Sequence, residues 1–133
     1  MEFTAPIFET DKPTVLGRIY PYETFKLSVD KLQDLIDSKT LMGELGPQLQ
    51  LTIDIKNASH LITKIWNDGD QWFGDAVTLL TPNGKVLEAI LKREEKIKLA
   101  PRGSGNIDEN GIVTNYEIVT FDLVVESRFE ALI

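Results

Sequence analysis

The chain is 133 residues long, has no cysteine and one histidine (His60), and carries a formal charge of −7. The length suits one ordinary domain with its own core. The missing thiols exclude a disulfide framework, a thiol nucleophile, a zinc finger and an iron–sulfur cluster, and one imidazole leaves little for a His-based metal centre.

Hydrophobic residues make up 42% and charged residues 26%, a globular balance. An acidic surface disfavours phosphate backbones. The one basic cluster, Lys92, Arg93, Lys96 and Lys98, is interrupted by Glu94 and Glu95 and reads as a solvated helix face. No run approaches the ~20 apolar residues of a membrane span. Met1-Glu2-Phe3-Thr4 lacks the form of a signal peptide. The expectation is a protein of the host cytoplasm or of something assembled there. It should need no cofactor, metal, nucleic acid or membrane.

Residues 1–14 read as an extended arm holding one short strand, Glu2–Phe8. Pro21 opens a helix predicted to run from Tyr22 to about Asp37, because Phe25, Val29, Leu32 and Ile36 form one apolar stripe. In a rival reading Thr24–Leu27 is a strand and Ser28 caps a shorter helix. Leu41–Gln48 is a loop. Leu49–Lys56 alternates apolar and polar residues and reads as a half-buried strand. Ser59–Asn67 and Gln71–Leu80 are strands joined at Asp68-Gly69, a hairpin signal. Thr81-Pro82-Asn83-Gly84 is a turn before a helix over Lys85–Glu95, with Val86, Leu87, Ile90 and Leu91 inward. Lys96–Ala100 is a short strand entering a loop that starts at Pro101-Arg102-Gly103-Ser104-Gly105 and runs to the turn at Asn110-Gly111. Ile112–Val125 is one bent strand or two, and residues 127–133 form a tail. The fold class is mainly β with two helices (α+β). Its six or seven strands are expected to be antiparallel and to close into a small barrel, which hides sheet edges.

Six stretches in order carry a family resemblance. They are Arg18-Ile19-Tyr20-Pro21, Gly43-Glu44-Leu45, Asn57-Ala58-Ser59-His60-Leu61-Ile62-Thr63, Thr81-Pro82-Asn83-Gly84-Lys85, Arg102-Gly103-Ser104-Gly105 and Val119-Thr120-Phe121-Asp122-Leu123-Val124. Together they resemble the prohead maturation proteases of tailed phages, serine proteases similar to herpesvirus assemblin. The resemblance implies a barrel flanked by helices, a histidine base within Gly-Glu-Leu-x-His-Pro and a serine nucleophile within Ser-Ser-Arg-Gly-x-Gly. Here the first motif continues Gly46-Pro47-Gln48, so the base position falls on Pro47 or in a one-residue gap. The second reads Ala100-Pro101-Arg102-Gly103-Ser104-Gly105, so the nucleophile position falls on Ala100 or Pro101. A serine hydroxyl gives up a proton to a base, and neither Ala nor Pro has one to give.

Ser104 with His60 is the residual catalytic pair, although Ser104 lies about three residues out of register with the family nucleophile; the bland alternative is local hydrogen bonding. In an active relative Arg102 and its glycines would help place amide donors for an oxyanion; without a nucleophile they hold a loop shape. Trp66, Trp72 and Phe73 read as cross-strand packing or as a binding anchor. Asp68, Asp70 and Asp75 lack the glutamate and sixth-position glycine of a calcium loop, and Gly103-x-Gly105 is too short for a phosphate loop.

With fold kept and chemistry replaced, the expectation is a catalytically inactive structural component of a phage particle. The leading role is a capsid decoration or cement protein on the capsid exterior, bound to the major capsid protein and able to contact copies of itself. The alternatives are an active protease using Ser104 and His60, or a scaffold or neck component. Binding is expected through chain ends and loops and not through the old cleft. The candidate contacts are Phe3, Ile7, Phe8, Trp66, Trp72, Phe129, Leu132 and Ile133; the bland alternative adds Glu2–Phe8 to the chain's own sheet.

Overall fold

Glu2–Glu9 alternates in burial, with Ala5 and Ile7 inward, and forms the first strand, β1. A computed structural model of the chain describes residues 1–126. The remaining elements are α1 (Tyr22–Asp30), α2 (Gln33–Asp37), β2 (Met42–Glu44), β3 (Ala58–Asp68), β4 (Gln71–Thr78), α3 (Pro82–Lys92), β5 (Ile97–Ile107) and β6 (Val113–Val125). The predicted contacts Phe129, Leu132 and Ile133 lie outside the described residues.

The first sheet has the order β1-β4-β3-β2, antiparallel throughout. Its centre is the predicted hairpin. Asp68 pairs with Gln71, so the two turn residues are Gly69 and Asp70. Gly69 takes φ +60, the left-handed conformation that favours glycine at this point. β1 lies along β4, with Ala5 opposite Gly74 and Pro6 opposite Phe73. The expected arm is therefore a sheet edge, the outcome set aside above as the bland one.

β5 and β6 form a second, two-stranded sheet. This corrects the reading of Pro101–Gly105 as loop: β5 runs straight through it. β6 carries an extra residue opposite Arg102–Gly103 and another opposite Ser104–Asn106, where Asn115 takes φ 51. At Gly103 a Cβ would collide with the Glu117 carbonyl oxygen, so glycine is required by the close approach of β6. The expected barrel is not present. The sheets meet at one isolated bridge, Leu45 with Leu123, where Gly46 N donates to Leu123 O at 2.7 Å. On the other side β1 lies beside β5 without a ladder between them. Each of these edge strands carries a proline, Pro6 and Pro101, and proline has no N–H to continue a ladder.

The predicted helix Tyr22–Asp37 is two helices. The stripe is as expected, with Phe25, Val29, Leu32 and Ile36 all buried. However, α1 packs on β6 and α2 on β3, and the chain turns between these surfaces at Lys31-Leu32. The third helix starts earlier than predicted. Thr81 caps it, its Oγ1 accepting from Gly84 N at 2.9 Å and donating to Ala58 O at 2.6 Å. Pro82 occupies the first turn, where its missing N–H is harmless. Leu87 is buried, whereas Val86 is 47% exposed.

Leu49–Lys56 is not a strand. Leu49, Leu51 and Ile55 are 91%, 54% and 70% exposed. Asp54 accepts from Lys56 N and Asn57 Nδ2, which winds Ile55–Asn57 into a 3₁₀ turn. A short polar side chain bonding its own backbone competes here with a ladder. Where the segment enters β3, at Ala58–Leu61, β2 pairs along one edge and β4 along the other from His60 onward.

Candidate functional site

Asp122 sits in the most buried part of β6, between Phe121 and Leu123. Arg102 on β5 reaches it with two prongs, Nε to Oδ2 at 2.9 Å and Nη2 to Oδ1 at 2.6 Å. Nη2 also donates to Glu44 Oε2 at 2.9 Å, and Nη1 to the carbonyl oxygens of Thr52 (2.7 Å) and Gln50 (3.2 Å). All five guanidinium donors are thereby used, in the fork geometry that distinguishes arginine from lysine. Burial raises the Asp122 pKa above the usual carboxylate range, with Arg102 pulling the other way. For Arg102 burial works downward, but its hydrogen bonds to Asp122 and Glu44 prevail and hold it above its ordinary value. The cluster ties β2, β5 and β6 together and pins the exposed 48–54 segment by its backbone. Arg102, predicted to shape a loop, is thus the hub of a buried ion cluster.

His60 is fully buried on β3. Its Nε2 lies 2.8 Å from Phe121 O, and its Nδ1 lies 2.8 Å from Ser59 Oγ. A carbonyl oxygen only accepts, so Nε2 carries the proton and Nδ1 accepts from Ser59. Burial pushes the pKa from 6.5 down to about 4. Gly43 lies against the ring, and any Cβ there would meet both the imidazole and Phe121 O. Ser104 is an exposed residue of β5 opposite Glu117, with the His60 nitrogens committed elsewhere. The structure does not bring the Ser104–His60 pair together.

It does bring together the three positions to which the resemblance assigns base and nucleophile. Pro47, Ala100 and Pro101 line one groove of about 490 Å³, whose other walls come from β1 and the 12–20 segment. Among the described residues no serine, cysteine or histidine lines it. Its inner end reaches Asp122, so the ion cluster forms part of the wall. A second, polar hollow of about 480 Å³ lies between Glu44, Gln50, Asp54, Asn57 and Asn83.

The aromatic candidates are distributed differently from the prediction. Ile7 and Trp72 belong to the core, each 3% exposed, which is a correction for both as surface contacts. Phe8 packs on Tyr20 and Phe25 with ring centroids 4.6 and 4.7 Å away, and Phe3 meets His60 edge-on. Trp66 stacks on its cross-strand partner Phe73 at 4.5 Å and donates to Asp75 Oδ1 at 3.0 Å. Two of the three aspartates of the rejected calcium reading are otherwise engaged, Asp75 with Thr4 and Asp70 with Thr10. The sequence reading missed Glu44 and Asp122. The signal available was a carboxylate inside an apolar run, Phe121-Asp122-Leu123-Val124-Val125, which demands a buried cation.

The molecule is thus a mainly β domain of two antiparallel sheets with an apolar groove beside an edge strand. In fold it is similar to the bacteriophage T4 capsid assembly protease, gp21: the TM-score is 0.82 and the identity 21%, over 92% of this chain and 80% of that one. No family model and no curated protein matches the sequence. The prohead-protease-like fold expected from the six stretches is the fold observed, without a closed barrel.

Proposed function

We propose that this chain is a catalytically inactive structural protein of a phage particle, most simply a decoration or cement protein bound to the major capsid protein on the capsid exterior. The observation that carries the reading is the convergence of Pro47, Ala100 and Pro101 on one groove. These are the positions where the resemblance puts base and nucleophile, and none of the three can accept or donate a side-chain proton. A fold retained without those groups is free to serve by binding. The structural neighbour is named for capsid assembly. Carrying that setting to this chain is an argument by fold analogy, and it selects the capsid protein as partner. Among the described residues no helix is long and apolar enough to cross a membrane.

The test has two arms. Purified protein is incubated with capsid precursor and with a serine-reactive fluorophosphonate; no cleavage and no labelling are expected. Mature virions are then assayed for the chain, and many copies per particle are expected. Specific cleavage abolished by Ser104→Ala would overturn inactivity. Absence from virions with presence in proheads would favour a scaffold role.

A further inference from the structure

The Arg102 cluster does not balance its own charge. One guanidinium, on a residue 4% exposed, is shared by two carboxylates, Glu44 at 5% and Asp122 at 2%. One negative charge is left over in a buried place, where an unpaired charge is costly. Among the described residues no second cation pairs with Glu44.

Glu44 faces the second, polar hollow with its spare oxygen. Its Oε2 accepts from Arg102 Nη2 and from Asp54 N at 3.4 Å, while Oε1 has no hydrogen-bond partner among the described residues. Nor is Oε1 sealed off: the described residues hold one fully enclosed, unpartnered side-chain atom, and it is Trp72 Nε1. Oε1 of this nearly buried side chain therefore opens on the hollow that Glu44 lines.

The rest of the lining offers oxygens and few donors. Three amides spend their NH₂ groups on the protein: Gln48 on Leu45 O at 2.8 Å, Asn57 on Asp54 Oδ2 at 3.1 Å and Asn83 on Asn57 O at 3.0 Å. Carbonyls and carboxylates only accept, so these bonds fix which way each amide points and leave its oxygen unused. Asp54 adds a second carboxylate, and no lysine, arginine or histidine lines the hollow among the described residues. A metal ion draws its oxygens in to about 2.0–2.6 Å. Among the described residues no three histidine, aspartate or glutamate side chains are placed to close on one ion. The hollow's volume of about 480 Å³ suits a larger occupant, within the range of about 300–1,000 Å³ usual for small-molecule sites. Acceptors beside a surplus negative charge call for a cation rich in N–H groups.

We propose that this hollow binds an organic cation bearing several N–H donors, an ammonium or guanidinium group, against Glu44. The inference does not depend on whether the chain is catalytically inactive. The test titrates the ¹⁵N-labelled full chain at constant ionic strength with spermidine, with the peptide acetyl-Gly-Arg-Gly-amide, and with tetramethylammonium, a cation without N–H donors. Saturable amide shifts within residues 44–57 and at Asn83 are expected with spermidine or the peptide, and none with tetramethylammonium. Tighter binding of spermidine makes a free amine the source of the cation; tighter binding of the peptide makes it a partner's basic side chain. Glu44→Gln keeps an oxygen for Arg102 but removes the surplus charge, and should weaken binding about tenfold or more. Gln50→Lys brings the chain's own ammonium to the hollow and should abolish binding without lowering the melting temperature. Gln50 is exposed and serves Arg102 through its backbone oxygen, so this variant keeps the test decisive if Glu44→Gln unfolds. No saturable shift with either donor-bearing probe overturns the proposal. So do equal shifts from tetramethylammonium, or undiminished binding by either folded variant.

Discussion

Arg102 shows how much one residue can hold in place. Its guanidinium is shared between two buried carboxylates and two backbone carbonyls, and among the described residues it is the cation paired with Asp122. Removing one partner of a buried pair costs about 3–5 kcal/mol, a large share of a typical stability of about 5–15 kcal/mol. Arg102→Leu is therefore expected to lower the urea midpoint sharply, and Arg102→Leu with Asp122→Leu to recover part of the loss. An unchanged midpoint in the single variant would remove the cluster's structural role. His60 makes a pH prediction. Its folded pKa of about 4 lies below the ordinary 6.5, so the unfolded chain takes up the proton first as pH falls. The contribution is fully present above pH 6.5 and is lost between 6.5 and 4, by about 3 kcal/mol at 1.36 kcal/mol per pH unit. Asp122, with its raised pKa, has the opposite slope, so the comparison is with His60→Gln across the same range. A wild type that loses no more stability than His60→Gln between pH 7 and 4 would contradict the buried neutral imidazole.

At the scale of elements, the sequence was legible wherever local chemistry and tertiary packing agreed. The Asp68-Gly69 hairpin and the apolar stripe of Phe25, Val29, Leu32 and Ile36 are both as read, because a turn glycine and a buried face leave local marks. Leu49–Lys56 failed because alternation reports only that a segment could lie half-buried on a sheet, not that an edge is free to receive it. The split after α1 carries no Pro or Gly signal; it follows from two surfaces, β6 and β3, that sequence does not place. Pro101–Gly105 looked like a loop because its glycines suit the backbone angles of one, when Gly103 answers the close approach of β6. Resemblance singled out Pro47, Ala100 and Pro101, which line one groove, while Glu44 and Asp122 needed the structure to bring β2, β5 and β6 together. Helix α3 offers a sharp check. Leu87 is fully buried and its neighbour Val86 is not, although both were placed on the inner face. Leu87→Ala is expected to cost about 2–5 kcal/mol, and Val86→Ala to stay within about 0.5 kcal/mol. Guanidinium unfolding of the two variants measures the difference, and similar losses would mean that the helix is rotated from its observed setting.

For the whole molecule, the role of its first residues decides where a partner can bind. If residues 1–14 were a free arm, Phe3, Ile7 and Phe8 would be available to the capsid. In the structure β1 completes the four-stranded sheet, and Met1 itself anchors to Thr78, its amino group 3.0 Å from Oγ1. Ala5 and Ile7 are core, and Phe8 closes an aromatic cluster with Tyr20 and Phe25. Burying one such large side chain contributes about 1.5–3 kcal/mol, and the ladder with β4 adds backbone bonds. Loss of two of them and of the ladder is comparable to the stability of a domain this size. Deleting residues 2–9 is therefore expected to abolish cooperative thermal melting and to leave β4 amides open to hydrogen exchange. A synthetic peptide of Glu2–Glu9 added to the truncated chain should restore part of both, as a missing strand would. If instead the truncated chain melts as sharply as the full one and only its copy number on virions falls, β1 is a docking arm resting on the sheet, and the groove between β1 and β5 is not a fixed feature of the fold.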